Sequence, residues 1–167
     1  LAIGCWQLGP FTQAGQILEL DMILKGVFKQ KDKVNALLNN LTDMIIKIGR
    51  MLQASGCDYI TLREPGVAAD LLSPRTFKEF IQPRLTRIME AWQSPKLLHI
   101  CGSTDPLIEM MNQCGADGLT VDIKCNIAEA RQKLGNDVLL MGNIDTYAMT
   151  CDPETPVETT VAHIKEI

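Results

Sequence analysis

Five short apolar runs separated by helix-length segments, with no hairpin signal between them, restrict this chain to folds built on a parallel sheet. The runs are 1–8 (LAIGCWQL), 58–64 (DYITLRE), 96–101 (KLLHIC), 118–122 (GLTVD) and 138–143 (VLLMGN). Gly9-Pro10 ends the first, and two short helices follow it. Val34, Leu37, Leu38, Leu41, Met44, Ile45, Ile48 and Leu52 then recur at three- and four-residue steps, which predicts a long helix over 33–55 stopped by Gly56. Ser73-Pro74 offers an N-cap and a first-turn proline to a helix running to about Gln93, kinked at Pro83. Asp105-Pro106 opens a helix ending at Gly115, Asn126 to Leu134 forms another, and a last helix starts near Pro156.

Such alternation suits either an open doubly wound sheet or a barrel. The short, regular later units and the polar residues at successive strand ends favour the barrel. The expectation is an α/β fold, part of a (β/α)8 TIM barrel, with about five parallel strands, covering helices and one domain over 1–167. A complete barrel takes about 250 residues, so 167 residues read as a fragment of a larger one, with Leu1 and Ile167 as cut ends. The two open edges of such a sheet would favour association with another copy.

Composition narrows the partners. A net charge of -4, a pI near 5.2 and the lack of a basic stripe argue against nucleic acid. No apolar run reaches the roughly 18 residues of a membrane span. The six cysteines are scattered without a CxxC pair, which reads as a reducing, cytoplasmic setting. Nucleotide binding has no support, since neither GxxxxGK nor a strand followed by GxGxxG occurs.

The chemistry collects at the strand ends: Glu64; His99, Cys101 and Gly102; Asp122; Gly142, Asn143 and Asp145. Side chains alternate faces along a strand, so His99 and Cys101 point the same way, while Leu98 and Ile100 point towards the helices. Barrel interiors are normally lined by branched apolar residues, and a His-Cys pair there is costly unless something binds it. A divalent metal is one answer, because imidazole nitrogen and thiolate sulfur are ligands that zinc prefers. A hydrogen-bonded buried histidine beside an inert cysteine is the other. His163, in the last helix, reads as a surface residue.

The segments PFTQAGQIL, LLSPRTFKEFIQPRLTRI, HICGSTDPLIEMM, ADGLTVDIKCNIAEARQKLG and VLLMGNID, in that order, resemble the uroporphyrinogen decarboxylase superfamily over nearly the whole chain. Within it, HxCG is similar to the zinc-dependent, corrinoid-using methyltransferases of the methylcobalamin:coenzyme M type. The resemblance implies zinc held by His99, Cys101 and a further Cys in a later strand or loop beyond Ile167. Cys125 and Cys151 are in-chain substitutes for that third ligand. It also implies methyl transfer between a methylcobamide, free or on a corrinoid protein, and a small thiol or other methyl carrier. Glu64 and Asp122 are then expected beside the open metal position as catalytic support, and Asn143 as a substrate contact. The other reading of each is capping the following helix or bonding a loop, and Glu64 and Asn143 suit that reading better than Asp122 does. The other readings are a metal-free decarboxylase of the porphyrinogen type and a non-catalytic barrel-derived binding module. The first needs arginines at the barrel mouth, where the sequence offers only Arg63, on the strand face opposite Glu64.

Overall fold

The computed structural model describes residues 1–145 and 157–166. Five strands form a single parallel sheet: β1 (Gly4–Leu8), β2 (Tyr59–Arg63), β3 (Lys96–Ile100), β4 (Gly118–Val121) and β5 (Leu139–Met141). They lie side by side in chain order, each paired with the one before it. A doubly wound sheet reverses its strand order at a switch point. This one does not, and a monotonic βα order is what a barrel wall requires. The chain is part of a TIM-barrel-type wall.

The helices gather on one side of that wall. Helices α1 (Pro10–Ile17), α2 (Leu20–Lys29) and α3 (Lys31–Ala54) connect β1 to β2. Ile60, Leu62, Leu98, Ile100 and Leu119, all on the outward face of the strands, are wholly buried beneath the helices. Burying an aliphatic side chain of this kind contributes roughly 1.5–3 kcal/mol. The opposite, concave face is open. Trp6 is 58% exposed, Leu139 52% and Met141 44%.

After β2, a 3-10 turn (Pro65–Val67) leads to a continuous helical run. Ser73 caps its start, its hydroxyl accepting from the Thr76 amide at 3.2 Å. The run comprises α4 (Pro74–Thr76), a π-helical turn (Phe77–Ile81) and α5 (Gln82–Ala91). The expected kink at Pro83 thus takes the form of a wide turn just before the proline. There the Gln82 amide reaches back five residues to the Phe77 carbonyl, easing the steric demand of a ring that cannot continue the ladder.

Two shorter helices cover the last strands: α6 (Ile108–Asn112) and α7 (Ile127–Leu134). The first begins later than Asp105-Pro106 suggested. Leu107 instead closes a turn on the Thr104 carbonyl, and Asp105 accepts from the Asn126 amide at 2.9 Å, which ties it to the next loop. Asn126 caps α7 by accepting from the Glu129 amide. A closing helix spans Val157–Glu166. Cys151 and the side chain of His163 lie outside the described residues. No helix among those described is long and apolar enough to cross a membrane.

Candidate functional site

The carboxyl ends of β3, β4 and β5 enclose an open cavity of about 450 Å³ on the concave face, lined by His99, Cys101, Asp122, Asn143, Ile123 and Ile144 among others. His99 lies within β3 and Cys101 one residue past its end. Gly102 follows with φ +80, a conformation that L side chains rarely adopt, and it turns the chain away directly after the thiol.

His99 is held by its neighbour strand. Its register partner is Thr120 on β4, and Nδ1 meets both the Thr120 carbonyl, at 3.2 Å, and the Thr120 hydroxyl. A carbonyl can only accept, so the ring proton sits on Nδ1 and Nε2 carries the lone pair. That nitrogen faces Cys101 Sγ at 2.8 Å and accepts from the thiol. Burial, and then the charge of Arg63, lower the pKa of His99, favouring neutral imidazole. Burial and the Asp122 carboxylate raise that of Cys101, while Arg63 pulls the other way.

Asp122 follows the same alternation as Thr120 and lies at the cavity wall. Burial raises its pKa, but the amides of Lys124 and Gly102 and the Lys124 charge outweigh that and hold the carboxyl below its ordinary value. Asn143 donates to the Cys125 carbonyl at 2.6 Å, closing the cavity against the loop after β4.

Glu64 is placed elsewhere than expected. Its carboxyl is fully buried on the helix side, where it accepts from the amides of Phe11 (3.1 Å) and Thr12 (2.7 Å) and from the Thr12 hydroxyl. These are the first-turn N–H groups of α1, so Glu64 closes that helix instead of bordering the cavity. Cys125 is buried and is not part of the cavity wall.

Two further residues flank His99 on the neighbouring strands: Thr120, which the sequence alone does not single out, and Arg63, named there only for the decarboxylase reading. Thr120 orients the histidine, and Arg63 is the register partner of His99 on β2. Alternation gives a signal for each: Thr120 is two residues before Asp122, and Arg63 sits on the face opposite Glu64.

Zinc would fit the His99-Cys101 pair. An imidazole whose Nδ1 is already committed turns its Nε2 lone pair to a thiol in the same cavity, and a metal could take the place of the thiol proton between them. Among the described residues, no set of three or more His, Cys, Asp and Glu side chains could hold a metal.

Comparison with known proteins gives consistent relatives. The sequence profile described as uroporphyrinogen decarboxylase (URO-D) matches residues 2–166. A methylcobamide:CoM methyltransferase of Methanosarcina barkeri is 32% identical over 139 residues, covering 83% of this chain and 41% of that protein. A uroporphyrinogen decarboxylase of Trichodesmium erythraeum is also 32% identical, over 146 residues, covering 84% of this chain and 40% of that protein. A solved methyltransferase from Methanosarcina mazei superposes with a TM-score of 0.88 at 28% identity, over 99% of this chain and 49% of that structure. The chain therefore spans less than half the length of these relatives.

Proposed function

Because the chain belongs to the uroporphyrinogen decarboxylase family, we propose that it carries two zinc ligands of a corrinoid-dependent methyltransferase, which moves a methyl group between a methylcobamide and a thiol or other methyl carrier. The single observation that carries this reading is the convergence of His99 Nε2 and Cys101 Sγ, 2.8 Å apart, on a cavity at the barrel mouth. The decarboxylase relatives match equally well in sequence. A metal-free decarboxylase nevertheless gives no reason for a thiol and an oriented imidazole at this place.

In this reading His99 and Cys101 hold the zinc. The third protein ligand comes from the part of the relatives' length that these 167 residues do not span. Bound zinc supplies the Lewis acidity that keeps a thiol as thiolate at neutral pH. Thr120 fixes the histidine tautomer, so no proton must leave the imidazole before the metal is bound. Cys101 must lose its proton, which makes metal uptake weaker at low pH. Asp122, held anionic, and Asn143 are the cavity-wall groups that contact substrate.

The test is metal analysis of the full-length protein. About one zinc per chain is expected, with His99→Ala and Cys101→Ala each binding it at least roughly tenfold more weakly. Full occupancy in both variants would reject the site. Methyl transfer from methylcobalamin to a small thiol, followed by loss of the methyl–cobalt absorbance, tests the reaction itself.

A further inference from the structure

Outside the cavity, the described cysteines are of two kinds. Cys114 and Cys125 are buried, and Cys114 spends its thiol on the Met110 carbonyl at 3.2 Å. Cys5 and Cys57 are only half-buried, and their thiols lie within hydrogen-bond reach of each other. They stand more than fifty positions apart in sequence, so the fold alone unites them. Cys5 lies on β1 opposite Ile60, on the helix side of the sheet, where it packs against the core. Cys57 follows Gly56, whose φ of +94 turns the chain from α3 back towards β2. The next residue fastens the two segments together. The Asp58 amide donates to the Ile3 carbonyl at 2.7 Å, and the Ile3 amide donates to the Asp58 carboxylate at 2.6 Å. Both cysteines are thus held at the amino-terminal end of the sheet, opposite the His99 cavity.

We propose that Cys5 and Cys57 are a covalent modification site, closing reversibly to a disulfide by exchange with a low-molecular-weight disulfide. Inert packing cysteines give no reason for two half-exposed thiols held side by side. A disulfide needs about 2.05 Å between sulfurs, a gap that side-chain rotation closes while β1 and β2 stay in register. The first thiolate attacks one sulfur of the small disulfide RSSR, expels RS⁻ and leaves a mixed disulfide. The second cysteine, once deprotonated, attacks the protein sulfur of that mixed disulfide and expels the other RS⁻. The two protons given up by the cysteines end on the two RS⁻ released, so two cysteines are oxidised and one RSSR is reduced to two RSH. Burial, and then the neighbouring Cys5, push the Cys57 thiol above its ordinary value. Thiolate is therefore scarce near neutral pH and exchange is slow. The pair follows the lasting thiol–disulfide balance of its surroundings and ignores brief exposure to oxidant. Once closed, the cross-link ties β1 to the start of β2 around α1, α2 and α3, stapling the first strand to the sheet.

The full-length protein is incubated for hours in glutathione buffers of graded oxidised-to-reduced ratio. Remaining thiols are then alkylated and the peptides mapped by mass spectrometry, which reads Cys101 separately. The expected product joins the Cys5 peptide to the Cys57 peptide, two hydrogens lighter than the free pair and reopened by dithiothreitol. Cys5→Ser should instead leave glutathione attached to Cys57, and Cys57→Ser should leave it on Cys5, because each mixed disulfide then lacks the thiol that resolves it. The Tm of the oxidised wild type should stand about 3–6 °C above that of the reduced protein, a gain absent from both variants. Stable glutathione adducts at Cys5 and Cys57 in the wild type overturn the proposal. So do a lack of reaction at either residue and a cross-link that uses another cysteine, Cys151 included. The wild-type map needs no variant, so a substitution that folds poorly leaves the test intact.

Discussion

Glu64 carries a buried negative charge only at a cost. Burial pushes its carboxyl up to about 7, from the ordinary 4.5, although three donors from Phe11 and Thr12 favour the charged form. A folded-state pKa above the unfolded one means that the folded protein binds the proton more tightly. The stabilisation is complete below about pH 4.5 and is lost as the pH rises through 7. Denaturant unfolding of the full protein should therefore show Glu64→Gln gaining on wild type by up to about 3 kcal/mol between those limits. A difference that stays constant with pH would mean the carboxyl is ionised throughout. Glu64→Ala should cost about 1–3 kcal/mol below about pH 4.5 by leaving first-turn amides of α1 without acceptors, a cost that shrinks as the pH rises through 7. The sequence shows Glu64 only as a polar residue after a strand. Its partner helix begins more than fifty positions earlier, and nothing local marks which face the carboxyl takes. His99 and Cys101 are easier to read, because two-residue spacing within an apolar strand places both on one face whatever the rest of the fold does.

At the level of elements, α3 and the end of α5 meet where Gly49 faces Trp92. A Cβ on Gly49 would come within 2.1 Å of the indole, whose own residue is 3% exposed and has little room to yield. Gly49→Ala should destabilise the protein by about 1–3 kcal/mol, despite alanine's better helix propensity. Chemical denaturation would measure this. An unchanged or higher midpoint would show that the indole swings aside without loss. The long helix itself is legible, because its eight apolar positions keep helical spacing over about five turns. The contact with Trp92 was not, since periodicity locates the buried stripe and says nothing of what lies against it. Strand ends were overrun for a related reason. The last strand was expected over 138–143 but pairs only across Leu139–Met141, because polar loop residues extend an apolar run without extending its ladder.

The whole molecule presents a concave sheet face whose apolar residues have no cover among the described residues, and β1 and β5 each pair on one side only. Trp6, Leu139 and Met141 together form the kind of exposed patch that drives association. The 167 residues expressed alone should therefore sediment as dimers or larger species at micromolar concentration. A compact monomer would show that this face tolerates water. The parallel class of the sheet was readable from the missing hairpins. The choice of barrel over doubly wound sheet needed the observed strand order, because both folds share one local pattern.

The pairing of His99 with Thr120 has a consequence for how such a protein can change over generations. Ring orientation depends on the β3–β4 register and not on the seventeen-residue excursion over 101–117 that joins the strands. Insertions in that excursion leave the imidazole where it is, provided the ladder re-forms. A single residue inserted within Gly118–Val121 would swap Thr120 for a neighbour of opposite facing and free the ring. Loops of this barrel can therefore be lengthened to build new substrate walls around an unaltered centre, while its strands admit almost no change of length.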